Sequence, residues 1–163
     1  MRRETVGAHV VASVGRGHGD ETLAATLARL AADRPEHVEI ICVTDGTERL
    51  LGALPIGRLF ALDGAVTLRA AMDPAFPRIG PAADQETAAS LALHHRVDAL
   101  PVVDIEGKLL GVMPSQALLQ ALRREHVEDL HVLAGIRRES VQARHAIEDP
   151  PLRGARHRLP WLL

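Results

Sequence analysis

Apolar runs of strand length alternate with short polar turns, and the alternation repeats in one register. Near the C-terminal end of the pattern, ALPVVD and KLLGVM flank IEG, whose Gly supplies a hairpin turn. The earlier stretch ICVTDGTERLLGALPIGRL superimposes without a gap on LPVVDIEGKLLGVMPSQAL. Asp45 falls on Asp104, Leu50-Leu51 on Leu109-Leu110, Gly52 on Gly111, Pro55 on Pro114 and Leu59 on Leu118, each pair 59 residues apart, as 45 and 104 are. A repeat of this period marks a duplicated supersecondary unit. Upstream of each hairpin lies a helical pattern: DETLAATLARLAAD, with Leu23, Leu27 and Leu30 at helical spacing, and DQETAASLALHH. Asp20 and Asp84 are the expected N-caps, with Glu21 and Glu86 favoured at the positive helix ends. A short strand is expected before each helix, around Val10 to Val14 (HVVASV) and Phe76 to Ile79 (FPRI). The unit is therefore β-α-β-β-α, present twice, in an α+β fold.

Composition changes this picture little. Nearly half of the 163 residues are apolar and a quarter charged, as in a globular protein, and a net charge of -2 gives no support to a nucleic-acid partner. Cys42 is the only cysteine, which removes an intrachain disulfide and any thiolate zinc cluster built from one chain. Within the apolar strand HVEIICVT it reads as a core residue, and a reducing compartment fits. MRRETVGAHVVASVGRGHGDE lacks the continuous apolar run of a signal peptide, and no stretch of about 18 apolar residues occurs.

The hairpin ALPVVDIEGKLLGV and its partner IICVTDGTERLLGA resemble the hairpins of CBS domains. The resemblance implies two CBS repeats packed through their sheets as one disc-like, dimeric module. VTLRAAMDP between the repeats, HVEDLHVLAGI after the last repeat helix and the terminal RHRLPWLL resemble MgtE magnesium transporters. In that family such a segment leads through a connecting helix to the first membrane helix, a place taken here by Arg156, Arg158, Trp161 and Leu162. The tail carries six Arg against Glu139, Glu148 and Asp149 from Ile136 onwards, then Leu-Pro-Trp-Leu-Leu, which fits the cytoplasmic edge of a membrane helix. The expected organisation is repeat one with the inter-repeat link over 1–72, repeat two over 73–133 and the connecting helix over 134–163. The resemblance further implies a homodimer through faces such as ALLQALRR and LAATLARL, at the cytoplasmic face of the inner membrane. The transmembrane pore would lie beyond Leu163. A free-standing CBS pair answering to a nucleotide, or an accessory module of an enzyme, are the rival readings.

The chemistry follows the resemblance residue by residue. CBS repeats that bind adenosine ligands carry a Thr or Ser and, three residues on, an Asp for the ribose hydroxyls. Here those positions are Pro55 and Arg58 in repeat one, and Pro114 and Ala117 in repeat two, so no nucleotide is expected. Ser115 could touch a phosphate, but the expected role is N-cap of the helix that follows. MgtE-type sensors hold Mg²⁺ between carboxylates, and the matching residues kept here are Glu86, Glu125 and Glu128, joined by the adjacent Asp129. Clustered carboxylates within one turn repel, and a divalent ion relieves that repulsion. Arg96, Ala117 and Gln120 stand where the family has Asp, so Mg²⁺ is expected to bind weakly. His94-His95, His126 and His131 lack chelating spacing. GRGHGDE is a turn before a helix and not a phosphate loop, since it lacks the Lys-Ser/Thr ending. No catalytic constellation is present in the sequence, and the chain is expected not to be an enzyme.

Overall fold

Thr22, and not Asp20, opens the first helix. Its hydroxyl accepts from the Ala25 N–H at 3.2 Å, and α1 runs Leu23–Asp33. The start is fixed by packing: Leu23 is buried, and Thr22 forms an isolated bridge with Thr67. Asp20 is left 93% exposed, 3.6 Å from Arg69. In the second half Asp84 takes the expected cap position, accepting from the Thr87 N–H at 2.7 Å before α4, Gln85–His95. Both helices end on an arginine in the left-handed region, Arg34 at φ 47° and Arg96 at φ 56°. The two arginines occupy equivalent places in the repeat.

The computed structural model describes residues 4–124, and contacts divide the chain into two units, Met1–Leu122 and Arg123–Leu163. In the first unit a three-stranded sheet has the order β1 (Val14–His18), β2 (His37–Thr44), β3 (Leu50–Pro55), with β1 parallel and β3 antiparallel to β2. A second sheet pairs β4 (Leu100–Val103) with β5 (Leu109–Met113). Helices α2 (Gly57–Ala61) and α3 (Leu68–Ala71) are short, and α5 is helical over 115–124.

The leading strands depart from expectation. β1 begins at Val14, where the strand was expected to end, because Val11 is drawn off to bridge Val112 of the other half. FPRI contributes one parallel bridge, Ile79 to Val102, in place of a strand. Pro77 lacks the N–H that a continuing ladder needs.

The halves interlock through these leading segments. Val11 and Val112 exchange backbone hydrogen bonds at 2.9 Å in both directions, and Asp73 and Ala53 do the same at 2.9 and 3.3 Å. Glycine makes both crossings possible. A Cβ on Gly52 would stand 2.5 Å from the Asp73 carbonyl oxygen, and one on Gly111 would overlap the Val11 carbonyl oxygen. Val6 is thereby buried among Ile79, Ala88, Leu100 and Met113, whereas Leu68 is buried among Leu23, Ile41, Val43 and Leu54. A third cluster, including Val14, Cys42, Leu50, Phe76, Leu109 and Val112, draws on both halves. At the hairpins Leu50 N–H donates to Gly107 and Leu109 N–H to Glu48, both at 3.0 Å. Glu48 (φ 64°) and Gly107 (φ 82°) hold the same left-handed turn position.

Gly52→Ala and Gly111→Ala should each destabilise the fold by about 1–3 kcal/mol through forced backbone separation. Urea unfolding midpoints compared with the wild type measure this.

Candidate functional site

The hairpin aspartates that define the repeat are structural. Asp45 Oδ1 accepts from Thr47 N–H and the Thr47 hydroxyl, each at 2.8 Å, and from Arg49 N–H at 3.1 Å. Asp104 Oδ1 accepts from Glu106 and Lys108 N–H, both at 2.9 Å. Such bonds close an Asx turn and favour the ionised carboxylate. The Thr47 hydroxyl and N–H hold the Asp45 carboxyl below its ordinary range.

The GRGHGDE turn is likewise occupied by the protein itself. Arg29 donates to Glu21 at 2.9 Å and to the Arg16 carbonyl, and buried Thr26 donates to Glu21 at 3.1 Å. Burial raises the Glu21 carboxyl, but the Arg29 bond, the His18 N–H and the Thr26 hydroxyl together bring it below its ordinary range. Cys42 is fully buried, and burial pushes its thiol up to about 12, so it is no nucleophile.

Helices α4 and α5 border an open groove of about 390 Å³. Its apolar wall is Ala89, Ala92 and Leu93 on α4 with Leu118, Leu119 and Leu122 on α5, while Arg96, Asp98 and Ser115 supply polar groups. Leu93 and Leu119 are exposed there. Ser115 is not the N-cap that was expected. Pro114 precedes the helix and its carbonyl accepts from Ala117 and Leu118 N–H at 3.0 and 3.2 Å, so Ser115 lies within the first turn. Its hydroxyl donates across the repeats to Glu39 Oε1 of β2 at 2.6 Å. Glu39 Oε2 is buried with no hydrogen-bond partner among the described residues, and His37 Nδ1 lies 4.0 Å away. This contact was not read from the sequence, where 76 residues separate the two positions. The one signal was a glutamate inside the apolar run HVEIICVT.

Of the carboxylates expected to hold Mg²⁺, Glu86 lies in the first turn of α4, partly exposed. Among the described residues no group of three or more His, Cys, Asp or Glu side chains is arranged to hold a metal ion. Glu125, Glu128, Asp129 and the expected connecting helix lie outside the described residues. At the nucleotide positions Arg58 is exposed on α2 and Ala117 is buried in α5. Arg96, exposed, is the left-handed cap of α4.

Residues 68–124 match the CBS domain family. The magnesium transporter MgtE of Thermus thermophilus is 33% identical over 108 residues, 66% of this chain and 24% of the transporter. The fold is that of a tandem CBS pair, similar to those of MgtE-type transporters. The magnesium transporter MgtE of Enterococcus faecalis is 26% identical over 132 residues, 81% of this chain and 28% of that protein. Among solved structures, the cytosolic domain of the Mg²⁺ channel MgtE in complex with ATP aligns with a TM-score of 0.69 at 26% identity. That alignment covers 72% of this chain and 48% of the solved one. The chain thus spans about a quarter of the length of the two transporters. The tandem repeats and mixed α and β elements expected of a CBS pair are present. No helix among the described residues is long and apolar enough to cross a membrane.

Folding favours the ionised Asp45 carboxylate, so the hairpin is weakened in acid. A carboxyl lowered in the folded state contributes stability that is complete above its unfolded value, near pH 4. That contribution disappears as pH falls through the lower folded value. Asp45→Asn should therefore lose stability relative to wild type at neutral pH and converge with it in strong acid, as read from urea midpoints between about pH 7 and pH 2.

Proposed function

We propose that this CBS pair is the cytosolic regulatory part of a longer magnesium transporter, its conformation passed to a membrane pore through the residues that follow α5. The similarity over 108 residues to the Thermus thermophilus transporter carries this reading. The module has no catalytic role in it. Its ligand is Mg²⁺, held by Glu125, Glu128 and Asp129 with a contribution from Glu86. Acids repel until a divalent ion screens them, so Mg²⁺ favours the arrangement in which they approach other acids. Arg96, Ala117 and Gln120 leave fewer ligands than the family pattern provides, and only differential binding shifts a conformational equilibrium. The response to Mg²⁺ is accordingly small.

Thermal unfolding and radius of gyration followed from zero to about 10 mM Mg²⁺, a range suited to weak carboxylate and water coordination, test the site. Na⁺ is matched for ionic strength. The expected wild-type change is small and is removed in the Glu125→Gln, Glu128→Gln, Asp129→Asn variant. A large compaction that survives the triple substitution would overturn the site, and a large one abolished by it would overturn the diminished response.

An adenine nucleotide is the rival ligand, suggested by the ATP-bound MgtE structure. Exposed Arg58 and buried Ala117 weigh against it, since neither offers the carboxylate that ribose hydroxyls need. The module is further proposed to dimerise through the apolar helix faces ALLQALRR of α5, where Leu119 is exposed, and LAATLARL of α1. Sedimentation velocity should give a dimer at high micromolar concentration, and monomer alone would exclude that arrangement.

A further inference from the structure

We propose that Glu39 is a tethered anion, a side chain that pre-empts the start of α5 and sets the specificity of the groove against phosphate-bearing ligands. The inference deepens the reading that the module takes no nucleotide, and rests on it, but its cause is different. Missing ribose acceptors weaken a nucleoside; a resident carboxylate repels the phosphate itself.

The first turn of a helix carries N–H groups with no carbonyl ahead of them in the helix, and its dipole favours negative charge. A serine hydroxyl in that turn adds another donor. At α5 this donor is already committed, because Ser115 Oγ donates to Glu39 Oε1 at 2.6 Å. The carboxylate comes from a different repeat and is held in place from behind: the Glu39 carbonyl accepts from Ile56 N–H at 3.1 Å. Glu39 Oε2 is buried and has no hydrogen-bond partner among the described residues. An incoming phosphate would compete for the Ser115 hydroxyl and meet a charge of its own sign. Asp98, which lines the groove with Ser115, adds to that field, and Arg96 opposes it from the end of α4.

The test uses the 163-residue chain with two probes, inorganic pyrophosphate and ATP, by isothermal titration calorimetry and thermal shift, against sodium chloride at matched ionic strength. Glu39→Gln keeps the shape and removes the charge; Glu39→Ala removes both; Glu39→Asp keeps the charge on a shorter arm. The wild type and Glu39→Asp should show no pyrophosphate binding beyond the salt control. Glu39→Gln and Glu39→Ala should gain at least about tenfold in affinity, and adding Ser115→Ala to Glu39→Gln should abolish the gain. Circular dichroism identifies any variant that does not fold, and the near-isosteric Glu39→Gln then decides alone. Equal pyrophosphate affinity in wild type and Glu39→Gln, or a gain that survives Ser115→Ala, overturns the proposal. ATP binding by the wild type would overturn the nucleotide-free reading and the exclusion of phosphate-bearing ligands with it, whereas equal pyrophosphate affinity in wild type and Glu39→Gln without ATP binding overturns the role of Glu39 alone.

Discussion

The close approach of two backbones at Gly52 and Gly111 is the constraint from which the architecture follows. At each glycine the leading segment of one half lies against the hairpin of the other, near enough that a Cβ has no room. The hydrogen bonds exchanged there, Asp73 with Ala53 and Val11 with Val112, supply partners to backbone groups that would otherwise be buried and bare. Because those bonds point across the repeats, Val6 of repeat one is carried into the core of repeat two, whereas Leu68 closes the core of repeat one. Each such side chain contributes on the order of 1.5–3 kcal/mol by leaving water. The shared central cluster then forms where the two hairpins meet.

Much of this was legible as pattern. The hairpins, the cap at Asp84 and the buried Cys42 followed from local chemistry, in which a residue and its partner are close in sequence. The parts misjudged are those decided across the repeats. Asp20 is a good cap in isolation, but the bridge of Thr22 to Thr67 moved the helix start. Val11 has the makings of a strand with its neighbours, yet it pairs with Val112. Ser115 has the composition of a cap, but Glu39 claimed its hydroxyl from 76 residues away.

The two halves also differ in a way their shared pattern conceals. The helix after the first hairpin, α2, has five residues, whereas α5 is helical over 115–124. Leu62, Asp63 and Gly64 end the shorter one. Asp63 Oδ1 accepts from Ala65 N–H at 2.8 Å, closing a turn, and Gly64 lies against Ala24 of α1. An open groove between two full helices therefore forms at the second repeat, with the Glu39 carboxylate reaching into its serine from the first.

The crossed burial of Val6 bears on how the chain can acquire its structure as it is synthesised. A ribosome delivers Val6 among the first residues, but its packing partners include Leu100, Met113 and Leu118. The first repeat closes one face on Leu68 after its hairpin is complete, but its Val14, Cys42 and Leu50 wait for Phe76, Leu109 and Val112 of the second. Contacts of such sequence separation carry a loop-closure cost before they are rewarded. Neither repeat has a finished interior while its sibling is still being made, so the nascent chain holds apolar surface open to chaperones until about the end of α5 has emerged.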